Sequence, residues 1–320
     1  MGSYHQLVRR IIIDTDPGQD DAVAMLLALA SPDELDVLGI TAVAGNVPLA
    51  LTQLNARKIC EVAGRTDVPV YAGCVRPMMR PLVTAEYVHG PTGIDGADLP
   101  EPSMGLEPQH AVDFIIDTLM AATESDITLC PLGPLTNIGM ALVKEPRIAS
   151  KVREIVLMGG GFLEGGNVTP AAEFNIYVDP QAAHVVFSSG IPITMMPLDV
   201  THQALATVPR VAAFGQMGTA VGDAVAGMLD FFDRYDMEKY GTDGAPLHDP
   251  CVIAYLLEPD LFGGKACHVE IVTDNGPALG MTVIDWWGVT KNAPNTTVMR
   301  DVDADRFFAL LVERIGRLGR

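Results

Sequence analysis

The stretch Ile11–Asp21, IIIDTDPGQDD, decides how the rest of the chain is read. Ile11, Ile12 and Ile13 are β-branched and apolar on both faces, which predicts a short buried parallel strand rather than a helix core. Four carboxylates then fall within eight positions, at Asp14, Asp16, Asp20 and Asp21. Pro17-Gly18 predicts a turn. From Asp20 the pattern DDAVAMLLALA is helical, with its acids at the end where the helix dipole favours negative charge. The stretch reads as strand, acidic loop, helix.

Carboxylates this close repel one another unless a cation sits among them or some are protonated. Helix capping uses one aspartate, not four. The loop also lies at the carboxyl end of a strand, where open α/β sheets place ligands. An oxygen-only set without neighbouring Cys or His suits a hard cation, Ca²⁺ or Mg²⁺. An EF-hand is excluded. Counted from Asp14, the sixth and twelfth positions hold Gln19 and Met25, where that loop needs Gly and Glu.

The 320 residues alternate strand-like apolar runs with helical patterns through the first two-thirds, which predicts an α/β protein with an open, mostly parallel, Rossmann-like sheet and helices on both faces. No linker divides the chain, so one domain over residues 1–320 is expected. A net charge of −19 argues against nucleic acid, anionic membrane and polyphosphate partners, all of which want clustered Lys and Arg. Five scattered cysteines without a CxxC pair predict reduced thiols in the cytoplasm. MGSYHQLVRR at the start lacks the apolar stretch of a signal peptide, and no apolar run is long enough to span a bilayer.

Strands are expected at Leu35–Ala44, Val68–Ala72, Ile127–Pro131, Glu154–Met158 and Ile193–Pro197. Helices are expected at residues 48–63 and 111–123, from Leu135, from Pro180, over 208–240, at Cys251–Leu257 and at Ala304–Leu318. His268–Thr273 and Ala278–Ile284 predict an antiparallel pair joined at Asn275-Gly276. The long segment from Gly73 to Gln109 has no periodicity, and HGPTGIDG (His89–Gly96) within it suits an ordered flap beside a site. Gly159-Gly160-Gly161 lacks the spacing of a dinucleotide loop and suits close passage of backbone past a ligand. Asp14–Asp21, Asn46, Leu132, Met158 and Asp199 each follow a predicted strand and should converge on one rim of the sheet. His248-Asp249 lies at a predicted helix start.

DTDPGQDDA, AGN (Ala44–Asn46), HGPTG, GPLTN (Gly133–Asn137), LMGGG, AEFNIYVDP (Ala172–Pro180), DVTHQA (Asp199–Ala204) and LHDPC (Leu247–Cys251) together resemble the inosine–uridine-preferring nucleoside hydrolases, in that family's order and over nearly the whole chain. Within the family the chain looks most like bacterial ribonucleoside hydrolases that favour pyrimidine nucleosides. The resemblance implies the nucleoside hydrolase fold, a homotetramer, and Ca²⁺-dependent hydrolysis of the N-glycosidic bond of small-molecule ribonucleosides. It implies Ca²⁺ ligands at Asp16, Asp21, the Leu132 carbonyl and Asp249, with Asp16 as general base. It implies ribose contacts from Asp20, Asn46, Asn167, Glu173, Asn175 and Asp249, Met158 beneath the sugar, and His89 at the pocket border. Asp14 would brace the loop. His248 would stand near the leaving base as the candidate for assisting its departure. Residues Asp230–Tyr240 would wall the base, with Phe232 and Asp236 where purine-competent relatives carry tyrosines and with Tyr235 and Tyr240 nearby. That departure favours uridine and cytidine, with inosine possible.

Two other readings compete. A haloacid dehalogenase-type phosphatase also opens on an apolar strand and DxD, but here Pro17-Gly18 and then Asp20-Asp21 follow, and the acidic balance suits phosphate esters poorly. A non-catalytic nucleoside- or ribose-binding protein would keep the same site without turnover.

Overall fold

In the computed structural model, which describes residues 8–241 and 243–319 apart from the side chains of Asp236, Met237, Glu238 and Tyr240, the triple isoleucine lies on an interior strand, third from one edge, of a nine-stranded sheet. Strand β1 (Arg9–Thr15) pairs in parallel with β2 (Leu35–Ala42) on one side, and β2 pairs with β3 (Val70–Ala72). On its other side β1 pairs with β4 (Ile127–Pro131), followed outward by β5 (Val152–Met158) and β6 (Ile193–Met196), all parallel. A small antiparallel pair, β7 (Leu205–Thr207) and β8 (Gly244–Pro246), lies apart. The large sheet is completed by β9 (Phe262–Ile271), β10 (Thr282–Asp285) and β11 (Thr296–Val302). Its order is β3-β2-β1-β4-β5-β6-β11-β9-β10, and only the β11–β9 and β9–β10 pairings are antiparallel.

Alternation along β1 explains the layers. Ile11 and Ile13 enter one apolar core together with Met25, Leu26 and Phe307, while Ile12 enters the other with Ile115, Ile138 and Ala183. Successive side chains on a strand point to opposite faces, so each face receives its own helices. Gln19–Leu29 is buried along its entire length, as befits a helix that is apolar all round and covered on its far side by other helices. Each of its large side chains contributes about 1.5–3 kcal/mol by leaving water. Ser31 ends it by returning its hydroxyl to the Leu27 carbonyl at 2.9 Å, and Pro32 follows.

The strand order reverses between β1 and β4. The chain leaves β1 toward β2 and β3, then returns across the sheet to β4. Adjacent strands therefore send their connections to opposite faces and open a crevice at their carboxyl ends. Asp14 pairs with Pro131 in the register, and Leu132 N donates to the Asp14 carbonyl at 2.7 Å. The acidic loop and the turn after β4 thus meet at the crevice.

Most expected elements occur within a residue or two of their reading, and the differences have local causes. Residues 208–240 form two helices, Val208–Gly215 and Ala220–Tyr240, because Gly218 takes a left-handed φ of 64° between them. The expected hairpin is the β9–β10 pair, but Gly280 N and Val272 N close a wider loop with Val272 O and Met281 O, so β10 starts at Thr282 rather than Ala278. No element was expected for TTVMRDV, yet it forms β11 at an interior position, its Arg300 and Asp301 lying beyond the stretch that pairs with β6. Asp236 and Tyr240 of the expected base wall, and the opening MGSYHQL, lie outside what is described. Among the described residues no helix is long and apolar enough to cross a membrane.

Asn137 ties the switch point together. Its Nδ2 donates to Asp14 Oδ1 at 2.8 Å and to the Ala42 carbonyl at 3.1 Å, while its Oδ1 accepts from Cys74 N at 2.8 Å. Asn137→Ala removes three hydrogen bonds. The one to Cys74 N has no substitute among the described residues, while Asp14 and Ala42 keep Thr41 and Gly73 N. The change is expected to cost about 1–3 kcal/mol, read as a lowered urea midpoint with unchanged slope. A loss below about 0.5 kcal/mol would show that the clamp is dispensable.

Candidate active site

Each acidic side chain of the opening loop is held by neutral donors. Asp14 Oδ1 accepts from Thr41 Oγ1 at 2.6 Å and from Asn137, and burial pushes its carboxyl up to about 7 despite those bonds. It braces the loop from beneath. Asp21 accepts from Thr15 Oγ1 at 2.5 Å, from Gly18 N at 3.0 Å and from Asn46 Nδ2 at 3.2 Å. Asp16 Oδ2 accepts from Asn46 N at 2.7 Å, whereas Asp16 Oδ1 is buried with no hydrogen-bond partner among the described residues. Two glycines make room for that carboxylate. A Cβ at Gly45 or at Gly133 would collide with it.

Asp249, brought in by the start of helix Pro250–Leu257, closes the group. Oxygens of Asp20, Asp21 and Asp249 lie within 4.8 Å of one another, and all three residues are buried. Asp20 therefore stands among the cation-holding candidates as well as at the cleft, and Asp16, with its free oxygen, is near enough to feel the charges of Asp21 and Asp20. Desolvation, followed by the Asp21 charge, pushes Asp16 well up and Asp20 up to about 8. Desolvation also pushes Asp249 up, with Asp20, Asp21 and Asp16 adding to the effect. Groups shifted in this way want a counter-charge, and the donor set is oxygen only. A hard divalent cation fits it.

A cleft opens above these acids and is lined by Asp20, Asn46, Leu132, Met158, Glu173, Asn175 and Asp249. The Asn175 amide spends both hydrogens on the scaffold, donating to Leu132 O at 2.7 Å and Met158 O at 3.2 Å, so only its oxygen is left for a ligand hydroxyl. Glu173 caps helix Phe174–Val178 by accepting from Asn175 N and Ile176 N, and it also accepts from Gly160 N at 2.9 Å. Burial pushes Glu173 up to about 7. Asn167 Oδ1 accepts from Phe174 N at 2.9 Å, and its carbonyl accepts from Lys239 Nζ at 2.9 Å across the cleft mouth.

The opposite wall is aromatic. Helix Ala220–Tyr240 contributes Phe232, stacked on His89 with centroids 5.4 Å apart, and Tyr235, edge-on to Tyr87 at 5.5 Å. The flap is docked by Gln19, whose Nε2 donates to the carbonyls of His89 and Asp95. Desolvation lowers His89 to about 4 and puts His248 well below the usual imidazole range, His202 adding to the latter. Both shifts favour the neutral ring.

One rim residue does other work. Asp199 accepts from the N–H groups of Phe162, Leu163 and Glu164 and shapes that loop. In the triple glycine, Gly160 and Gly161 pass close to Met195, Thr282 and Gly165, while Gly159 lies against the cleft residue Glu173, to which Gly160 N also donates. Gln19, Thr201, Gly45 and Gly133 were not singled out from sequence, although all four sit inside or beside motifs that were.

Parallel sheet, switch-point crevice and buried carboxylates define a hydrolase-type α/β site suited to a hard cation. A sequence model described as inosine-uridine preferring nucleoside hydrolase matches residues 11–309. A pyrimidine-specific ribonucleoside hydrolase, RihA, of Photobacterium profundum is 50% identical over 96% of this chain and 98% of its own length. An uncharacterized protein of Schizosaccharomyces pombe is 52% identical over 97% and 99%. The solved structure of a purine-preferring ribonucleoside hydrolase from Gardnerella vaginalis superposes with a TM-score of 0.90 at 34% identity, covering 96% of this chain and 98% of that one. The chain belongs to the inosine–uridine preferring nucleoside hydrolase family and is an N-glycosidase of ribonucleosides.

Because Gly45 leaves space for the Asp16 carboxylate, Gly45→Ala is expected to displace it and lower kcat on the order of 100-fold. Circular dichroism should stay native. Unchanged turnover would mean that the position of Asp16 is immaterial.

Proposed function

We propose that this protein is a Ca²⁺-dependent ribonucleoside hydrolase acting on pyrimidine nucleosides, with Asp16 as general base. The observation that carries the reading is the buried, unpartnered Asp16 Oδ1 beside the carboxylates of Asp20, Asp21 and Asp249. Asp21, Asp249, Asp16 and the Leu132 carbonyl would hold the ion, and Asp20 shares their space. When bound, Ca²⁺ would supply Lewis acidity toward water and exchangeable oxygen positions for a ribose diol.

The chain's own groups then divide the chemistry. Asp16 Oδ1 is free to take a proton from the attacking water. Asp20, Asn46, Asn167, Glu173, the Asn175 oxygen and Asp249 surround the sugar, with Met158 below it. Positive charge developing at C1′ faces fixed carboxylates, which favour an oxocarbenium-like state. The base lies toward His89, His248, Phe232 and Tyr235.

Pyrimidine preference is supported by the apolar Phe232 in the base-side wall and by 50% identity to a relative named as pyrimidine-specific. The purine-preferring neighbour shares the fold at lower identity. Five free cysteines support a reducing, cytoplasmic setting. Strands from Arg9 to Val302 in one sheet support a single domain over residues 1–320. The homotetramer rests on resemblance alone.

The test is ribose release from uridine, cytidine and inosine with Ca²⁺, after chelation, and after Ca²⁺ is restored. Uridine or cytidine should turn over fastest, activity should vanish with chelator, and Ca²⁺ should bring it back. Chelator-resistant turnover would overturn the metal assignment, and faster inosine hydrolysis the base assignment. Asp16→Ala should lower kcat by about 10²–10⁴-fold with a melting temperature equal to or above the parent's, since a repelling charge is removed. Near-parental kcat would exclude Asp16 as the base.

A further inference from the structure

Three imidazoles line the cleft, and two of them, His89 and His248, are bonded through Nδ1 to a side chain whose other bonds dictate its role. Gln19 is buried, and its Nε2 donates to the carbonyls of His89 at 2.9 Å and Asp95 at 3.1 Å. Carbonyls only accept, so the NH₂ end of the amide is fixed there. The amide oxygen is thereby turned to His89 Nδ1 at 2.7 Å. That oxygen also only accepts, so Nδ1 carries the hydrogen and Nε2 of His89 keeps a lone pair.

Thr201 imposes the converse on His248. Its hydroxyl lies 2.7 Å from His248 Nδ1, Thr201 is fully buried, and the hydroxyl has no other partner among the described residues. If Nδ1 carried a hydrogen, the hydroxyl would accept it and leave its own O–H buried without an acceptor, at about 1–3 kcal/mol. With the O–H donating to Nδ1, both groups are satisfied and the ring hydrogen sits on Nε2.

We propose that Thr201 and Gln19 are positioning residues that hold two of the cleft histidines in opposite tautomers, His248 presenting an N–H and His89 a lone pair at Nε2. The consequence for catalysis rests on the nucleoside reading above. When the N1–C1′ bond of a pyrimidine nucleoside breaks, its electron pair leaves with the base and spreads onto the carbonyl oxygens. The His248 N–H donates a hydrogen bond to such an oxygen without giving up its proton. Water oxygen bonds to C1′ and loses a proton to Asp16, and the departing base anion takes its proton from solvent. The His89 lone pair accepts an N–H or O–H of the substrate.

Neither residue touches substrate, so the test reads the tautomers directly. Nitrogen-15 NMR of full-length protein labelled at histidine and loaded with Ca²⁺, assigned by loss of signals in His89→Gln and His248→Gln, should show hydrogen on Nε2 of His248 and on Nδ1 of His89. The opposite tautomer at either ring would overturn the proposal for that ring. Thr201→Val should lower kcat for uridine about 10–100-fold and Thr201→Ser should restore it, whereas hydrolysis of p-nitrophenyl riboside, whose leaving group needs no assistance, should change less than about threefold. Equal losses on both substrates would make Thr201 merely structural. If Thr201→Val does not fold, the parent spectrum still decides. A parent enzyme that hydrolyses no ribonucleoside would defeat the functional reading while leaving the tautomers to the spectrum.

Discussion

Mutual repulsion among buried carboxylates is the constraint on which the structure depends. Asp20, Asp21 and Asp249 bring oxygens within 4.8 Å of one another, with Asp16 beside them. Were all of them ionised, each pair of unit charges at about 5 Å would repel by about 3 kcal/mol at an effective dielectric near 20. A few such pairs would rival the whole net stability of an ordinary domain, about 5–15 kcal/mol, and together with desolvation they push Asp16, Asp20 and Asp249 up toward their protonated forms. A divalent cation would reverse the sign of that sum, so the same geometry that retains protons in the free protein would give an ion its affinity.

The surrounding fold answers that constraint in a particular way. The donors that steady the acids are hydroxyls, amides and backbone N–H groups: Thr15, Thr41, Asn46, Asn137 and Gly18. None carries a positive charge that would neutralise the site and displace a metal. Gly45 and Gly133 keep the two turns beside Asp16 free of side chains. The β1–β4 switch point supplies the crevice, and the sheet makes it rigid.

Legibility in the sequence followed the range of the forces involved. β1 and helix Gln19–Leu29 were plain because alternation, turn residues and helix period act over neighbouring residues. The acidic loop was plain because four like charges in one turn have few bland explanations. β11 was hidden because TTVMRDV carries Arg300 and Asp301, and its interior position depends on β6 and β9, both distant in sequence. The roles of Gln19 and Thr201 were hidden for a related reason. Gln19 is a lone amide in a motif of acids until His89 and Asp95 fold over it, and Thr201 gains meaning only when His248 arrives beside it. Asp199 misled in the opposite direction, since its position after a strand fits a site while its oxygens are taken by three backbone N–H groups.

The two sides of the cleft are built differently, and this bears on how one fold serves different bases. The acids rest on β1, β4 and the helix at Pro250, all joined through the central sheet and its cores. The aromatic wall rests on helix Ala220–Tyr240 and the short helix Glu86–His89, which meet through ring contacts, while the flap beyond that short helix brings Gly96 close to the Gly227 backbone. Exchanging a ring in that wall alters what lies against the base without moving a carboxylate. Sugar and metal chemistry can therefore stay fixed while the base-side residues change. A purine-preferring relative that shares this fold at a TM-score of 0.90 is what such a division of labour allows.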